Sequence, residues 1–213
     1  MTTPRLPYNY DNSTQRWRDP NTGRFVSEDV VVAEMRTHVE ATYSTLDSLT
    51  ERLYSGSITV QQWQVAVASE LKDAHLAQSM FANGGRNNMT PVEYGRVGGV
   101  LADEYRYLQN FAEQIARGEI SEAQARARIR QYGNATKQSY WREYTQRREY
   151  VRWNLQPGES CADCIALDSG GLDGNGLFRA DELPTVPGAG DTVCRGNCNC
   201  ILSSVPQSEV PFI

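Results

Sequence analysis

The residues best suited to chemistry are five cysteines, which lie within one C-terminal segment of about 40 residues. Cys161 and Cys164 form a C-x-x-C pair, and Cys194, Cys198 and Cys200 follow about thirty residues later in the sequence VCRGNCNC. Thiolates at such spacings can turn onto one tetrahedral Zn²⁺ at roughly 2.3 Å. A small loop-rich segment gains much of its folding free energy from such a site. The spacing therefore predicts a zinc module.

A structural zinc site needs four ligands, so one of the five cysteines is spare. We favour Cys161, Cys164, Cys198 and Cys200 as the ligands, with Cys194 as the substitute. Two disulfides and a free thiol would use the same five residues, although no apolar N-terminal segment marks the chain for secretion. Unliganded thiols remain a further alternative. A redox C-x-x-C is another, because a thiol at a helix start can have a lowered pKa, but such a motif does not require three more cysteines.

The chain shows no catalytic pattern beyond the cysteines. His38 and His75 are the only histidines, both inside predicted helices, with no plausible nucleophile near them in sequence. The adjacent carboxylates of Asp103 and Glu104 point apart on a helix and make poor acid/base partners. Nucleophile-elbow, zinc-protease and phosphate-loop motifs do not occur. We therefore expect a protein that is not an enzyme.

Composition and charge limit the possible partners. The apolar fraction of 39% and the mean hydropathy of -0.57 suit long helices with much exposed surface. The sequence has no run of 18 apolar residues, so we expect no membrane partner. The net charge of -5 divides unevenly, with about -4 on residues 1–120, about +5 on 121–153 and about -6 on 154–213. The basic segment is therefore local.

This basic segment, together with arginines near the N-terminus, could contact nucleic acid phosphates or an acidic protein surface. The candidate contacts are Arg126, Arg130, Lys137, Arg142, Arg147 and Arg148, with Arg16, Arg18 and Arg24. The alternative is a solvated helix whose arginines pair with Glu122, Glu143 and Glu149 and with the acidic first half. The two interpretations carry equal weight.

Capping and periodicity predict a mainly α protein with a four-helix body. Thr59 with Gln62 and Ser121 with Gln124 have the spacing of capping boxes, and Thr90 precedes a proline at a first helical position. Apolar residues recur at three- and four-residue steps between these signals. The predicted helices span about 28–55, 60–82, 91–117 and 121–152. Short loops make them two capped antiparallel hairpins.

Three regions follow from this pattern: an extended N-terminal arm at 1–26, the helical domain at 27–153, and a Gly- and Cys-rich zinc-held β-turn module at 154–213. The arm is either disordered or lies on a partner. Short strands are expected around Ile165–Leu167, Leu177–Arg179 and Ile201–Ser204. Glycines in the sequence GRVGG, residues 95–99, are expected to permit close approach of a neighbouring helix.

The C-terminal motifs resemble those of the minor head, or head-morphogenesis, proteins of tailed bacteriophages, the Mu F-like group. That group has C-x-x-C, then L-D/N-G, then H-P-x-C-R-C. The counterparts here are Cys161-Ala-Asp-Cys164, Leu167-Asp168-Ser169-Gly170 and Gly196-Asn197-Cys198-Asn199-Cys200, with Arg195 and Cys194 in place of the family's histidine region. Arg16 to Val26 also looks like the arms of phage structural proteins. The resemblance covers about the last 50 residues, and the helical body matches only in character.

The resemblance implies a low-copy virion protein, assembled in the host cytoplasm, that contacts the portal, the major capsid protein or packaged DNA during head assembly. A zinc-ribbon nucleic-acid-binding module is the second hypothesis, motivated by the arginines, and a capsid decoration protein is a variant of the first. A thiol enzyme that uses Cys161 and Cys164 is the third.

Overall fold

The computed structural model describes residues 8–14 and 16–210. Over these ranges the chain is mainly helical, as the sequence predicts, with two small sheets. The first three long helices are α1 (Glu28–Tyr54), α2 (Val60–Asn83) and α3 (Pro91–Ala116). Within this part of the chain, no helix combines the length and the hydropathy that crossing a bilayer requires.

The predicted capping residues start their helices. Thr59 and Thr90 each accept a hydrogen bond from a backbone amide of the first turn, and Ser121 does the same at the start of α4 (Glu122–Ala135). In each case the side chain three residues later reaches back to the cap amide, which completes a capping box. Local hydrogen-bonding chemistry thus fixes three helix starts.

The predicted helix 121–152 is divided into two helices and a strand. The helix α4 is interrupted at Thr136, whose hydroxyl donates to the carbonyl oxygen of Gly133 at 2.8 Å, and α5 (Lys137–Thr145) follows directly. The segment then becomes the strand β3 (Tyr150–Asn154). Within β3, Val151 and Trp153 are buried and their neighbours are half-buried, which is the period-two pattern of a strand.

The C-terminal sheet has β3 at its centre. It pairs antiparallel with β4 (Leu177–Arg179) on one side and with β5 (Ile201–Ser204) on the other. The bounds of both outer strands match the sequence prediction. The strand expected at Ile165–Leu167 is wrong, because these residues lie in the short helix α6 (Ala162–Asp168). An apolar run of three residues cannot by itself distinguish a strand from a helix turn.

The described part of the segment predicted to be an extended arm forms a β-hairpin on the chain's own core. Its two strands pair antiparallel, and Trp17 packs against the apolar cluster that contains Trp141 and Trp153. The hairpin strands are β1 (Asn9–Asp11) and β2 (Arg16–Arg18). The Asp11 carboxylate accepts from Ser13 and, at 2.8 Å, from the Arg18 guanidinium, which stabilises the hairpin. The described residues of this segment therefore pack on the chain itself and do not form a free extended arm.

Among the residues that the structure describes, two apolar clusters make up the core. One joins the C-terminal half of α1 and the N-terminal half of α2 with α3 and α4, around Trp63 and Phe111. The other joins the start of α1 with α5, the C-terminal sheet and the cysteines, around Trp141 and Trp153.

The predicted close approach at the GRVGG glycines is wrong, since a Cβ placed at Gly98 would meet no atom within 4 Å.

Candidate metal centre

The fold brings all five cysteines together. Cys161 immediately precedes α6 and Cys164 lies in its first turn, while a loop with a 3-10 turn at Arg195–Asn197 carries the others up to the start of β5. The Cys164 Sγ lies 3.6 Å from the Cys194 Sγ and 3.6 Å from the Cys198 Sγ. A tetrahedron with metal–sulfur distances of about 2.3 Å has edges of about 3.8 Å. The sulfur separations thus fit a shared metal ion.

The cysteines form two overlapping groups of three, each with its ligand atoms within 4.8 Å of one another. One contains Cys161, Cys164 and Cys194, and the other contains Cys164, Cys198 and Cys200. Cys164 belongs to both groups, so it is the centre of the cluster. All five are free thiols here, and a disulfide would require sulfurs at about 2.05 Å. The cluster can therefore hold a metal ion.

The cluster belongs to the main core. Cys164 and Cys198 are each 1% exposed, and they pack in the same apolar cluster as Trp141, Trp153 and Leu202. Such surroundings exclude water and bring a low dielectric, which strengthens the interaction between a cation and thiolates. The position favours a site that stabilises the fold over an exposed reactive thiol.

The thiol pKa values differ with position. Burial raises the pKa of Cys164 and of Cys194, and the thiol of Cys200 together with burial raises that of Cys198. At Cys161 burial acts in the same direction, but the backbone amides of Cys164 and Cys194 outweigh it and lower the pKa to about 7. Amides that point at a sulfur favour the thiolate that a metal requires.

Hydrogen bonds hold the cysteine loop against the helices. Asn134 on α4 donates to the side-chain oxygen of Asn197 at 2.8 Å, and the Val193 amide donates to the Asp163 carboxylate at 2.7 Å. Gly196 lies so close to α4 that an added Cβ would stand 2.5 Å from the Gln131 carbonyl oxygen. The loop is therefore positioned by contacts that do not involve its sulfurs.

Two cations lie beside the cluster. Lys137, at the start of α5, lines a cavity of about 320 Å³ with Cys198 and Cys200, and burial lowers its pKa to about 8. Arg36 on α1 lines the same cavity and donates to the carbonyl oxygen of Asn199 at 3.0 Å. Sequence analysis placed Lys137 among partner contacts, and the structure places it in the interior next to the thiols.

The other predicted contact residues divide into two sets. Most have intramolecular partners. Arg126 pairs with Asp47 and Glu122, Arg148 with Glu28, and Arg18 with Asp11. Arg147 donates to the Tyr10 hydroxyl, while Arg16 and Arg130 lie over the rings of Phe25 and Tyr43. Arg24 and Arg142 are exposed. The basic residues therefore form no single continuous face of one helix.

A buried polar network around His75 was not predicted from the sequence. His75 Nδ1 lies 2.7 Å from Ser139 Oγ, and its Nε2 lies 3.0 Å from a Glu104 carboxylate oxygen. The residue types match a hydrolytic triad, but Ser139 is 3% exposed and Glu104 is the member that lines a surface cleft. A nucleophile would need access to substrate, so the geometry fits a network that joins α2, α3 and α5. The partners are 29 and 64 residues apart, which left no signal in the sequence.

Comparison of the chain with protein-family models, with curated proteins and with solved structures gave no match.

Proposed function

We propose that the five-cysteine cluster binds one structural Zn²⁺ through four thiolates. Two sulfur separations of 3.6 Å at Cys164, which are close to a tetrahedral edge, support this proposal, as do burial in the apolar core and the N–H groups aimed at Cys161. Thiolate ligands select Zn²⁺ over hard cations such as Mg²⁺ and Ca²⁺. We expect Cys164 to be one of the four ligands, because both groups of three contain it.

Elemental analysis of the purified chain tests this proposal. One zinc per chain, with the buried thiols unreactive to an alkylating reagent until a chelator is added, is the expected result. Metal-free protein in which all five cysteines alkylate at once would contradict it. Cobalt substitution adds a spectroscopic check, since Co²⁺ with four thiolates has strong visible bands typical of tetrahedral coordination.

We further propose that the chain is a structural, non-enzymatic virion protein of a tailed phage, a minor head protein that contacts portal, capsid protein or packaged DNA. The arrangement of the cysteine motifs carries this proposal, because it resembles the tail of Mu F-like head proteins. A metal-held module fused to the helical core would offer a partner a rigid surface. Rigidity lowers the entropic cost of assembly.

Mass spectrometry and electron microscopy of purified particles from the phage that encodes the chain would test the virion role. Detection of the chain in mature or precursor heads, at a position next to the portal or the capsid wall, is expected. A chain that is made during infection but absent from every head intermediate would contradict the proposal. Density on the outer face of the capsid would instead identify a decoration protein.

A nucleic-acid-binding module is the second candidate, favoured by the exposed Arg24, Arg130 and Arg142. Binding that depends on phosphate contacts weakens steeply as salt rises. DNA binding at about 50 mM salt that falls with added salt would support this function, and no binding at that salt would exclude it. The intramolecular pairs of Arg126 and Arg148 leave fewer charges for such contacts.

A further inference from the structure

Lys137 is a buried cation without a carboxylate partner. It is 8% exposed, and within residues 8–14 and 16–210 no carboxylate oxygen lies within the 4.0 Å of a salt bridge to its ammonium. An unpaired ammonium in an apolar interior is costly, and native proteins avoid it unless a nearby negative charge offsets it. A negative charge placed in the cavity that Lys137 lines would therefore stabilise its charged form.

Thiolates of the cysteine cluster would supply such a charge. Cys194, Cys198 and Cys200 are the thiols whose charge acts on Lys137, and the last two share its cavity. Glu40 is the single carboxylate that lines this cavity, and it forms no salt bridge to Lys137 or Arg36 in the described part of the chain. Neutral thiols would leave the buried Lys137 without a counter-charge, whereas thiolates would supply one.

The number of charges agrees with a four-thiolate site. A divalent ion with four thiolates has a net charge of about -2. Lys137 and Arg36 together supply two positive charges on the side of the cluster that faces α1 and α5. Arg36 also fixes the loop between two cysteines, since it donates to the Asn199 carbonyl oxygen at 3.0 Å.

We propose that Lys137 and Arg36 are the charge partners of a dianionic metal–thiolate centre and increase its affinity for the metal. This inference rests on the proposed metal site and adds which residues outside the ligands tune it. Lys137 acts through the buried charge, and Arg36 acts through its charge and through the loop that it holds. Neither residue is a metal ligand.

The test compares Lys137→Met with Lys72→Met. Methionine keeps an unbranched apolar side chain in the cavity and removes the charge, while Lys72 is exposed on α2 and is the other lysine of the chain. Zinc affinity is measured by competition with a chelating dye at fixed pH and ionic strength. Partners outside the ligand shell typically contribute 10- to 100-fold to metal affinity. We expect a loss of about that size for K137M and no change for K72M.

Arg36 supplies an independent pair of variants in case K137M does not fold. Because Arg36 is exposed, Arg36→Met removes its charge without opening a core cavity, and Arg36→Lys keeps the charge. We expect R36M to bind zinc more weakly than R36K, with both variants retaining the wild-type circular dichroism spectrum. R36M and R36K of equal affinity, or a folded K137M within about twofold of wild type, would overturn the inference.

The outcome also separates the two proposals. If the wild-type chain binds no stoichiometric zinc, the metal site itself fails. If the wild type and K137M both bind one zinc with the same affinity, the metal site stands and the role of Lys137 fails.

Discussion

Replacement of the central cysteine is the perturbation with the largest expected effect. Cys164 belongs to both groups of three, so Cys164→Ser leaves no group of ligands intact. Zinc binding by small structural sites has an apparent free energy of about 10–16 kcal/mol, which divided among four ligands is about 2.5–4 kcal/mol each. At 1.4 kcal/mol per factor of ten, the variant should bind zinc about two to three orders of magnitude more weakly.

The four other cysteines provide the matched controls. Each of them belongs to one group of three, and a tetrahedral site uses four of the five sulfurs. At least one of these Cys→Ser variants should therefore keep one zinc per chain, and the predicted ligand set identifies it as C194S. Zinc content, dye competition and thermal unfolding with and without chelator are measured on all five.

Chelator should lower the melting temperature of the wild type and of the tolerant variant, and it should change C164S little, because that variant has already lost its metal. The reasoning is refuted if C164S keeps one zinc with wild-type affinity. It is also refuted if all five variants lose zinc equally, since a spare ligand would then not exist.

Three further predictions concern packing, the buried network and pH. Gly98→Ala should stabilise the protein by roughly 0.5–1 kcal/mol, because the position is helical and open. Gly196→Ala should destabilise it by about 1–3 kcal/mol, because the added Cβ would lie 2.5 Å from the α4 backbone. Urea unfolding of both variants measures the two free-energy changes, which are expected to have opposite signs. Glu104→Ala removes the buried acceptor of the histidine network, so it should lower the free energy of unfolding by about 1–3 kcal/mol in the same assay. A decrease of less than about 0.5 kcal/mol would contradict the stabilising role of the network. Burial opposes ionisation of Glu28, but Arg148 lies beside it and lowers its pKa. The ionised carboxylate therefore stabilises the fold above a pH of about 4.5, and this contribution is lost as the pH falls below that value. Glu28→Gln should flatten this part of the pH–stability curve, measured by thermal unfolding.

Helix starts could be predicted from sequence because their signals are local. The hydroxyl of Thr59 and the amide it caps are three residues apart, so both partners are visible in one short window. The same holds for Thr90 and Ser121. Strands β4 and β5 were also predictable from residues that favour turns: glycines precede β4, and Asn199 and Pro206 flank β5.

The end of the fourth predicted helix could not be placed by the same means. Apolar residues at Tyr140, Tyr144 and Val151 continue a ragged helical spacing, so the periodicity runs through the true boundary. What makes Tyr150–Asn154 a strand is pairing with β4 and β5, which lie about 25 and 50 residues further along the chain. Long-range pairing leaves little trace in a local window.

The site shows the same division between local and distant signals. Cysteine spacing predicts that the five sulfurs converge, and the structure confirms a cluster able to hold a metal. The choice of Cys161, Cys164, Cys198 and Cys200 as ligands stays a prediction, because the two groups of three together contain all five cysteines. The role of Arg36 was equally hidden, since its acceptor at Asn199 lies 163 residues away.

These contacts change how the cysteine segment relates to the helical body. An appendage held only by its metal would leave the helices unchanged when the ion is removed. Here the segment touches α1 through Arg36 and α4 through Asn134, and its sulfurs pack in one apolar cluster with Trp141 and Trp153. If the proposed ion is removed, the buried thiolates would take up protons, because uncompensated buried charges are costly. Lys137, which shares a cavity with Cys198 and Cys200, would then lose its counter-charge, so the packing of α5 and β3 should loosen as well as the cysteine loop. Amide hydrogen exchange would therefore show increased exchange in α5 and β3 on chelation, while α3, which packs in the other cluster, keeps its protection.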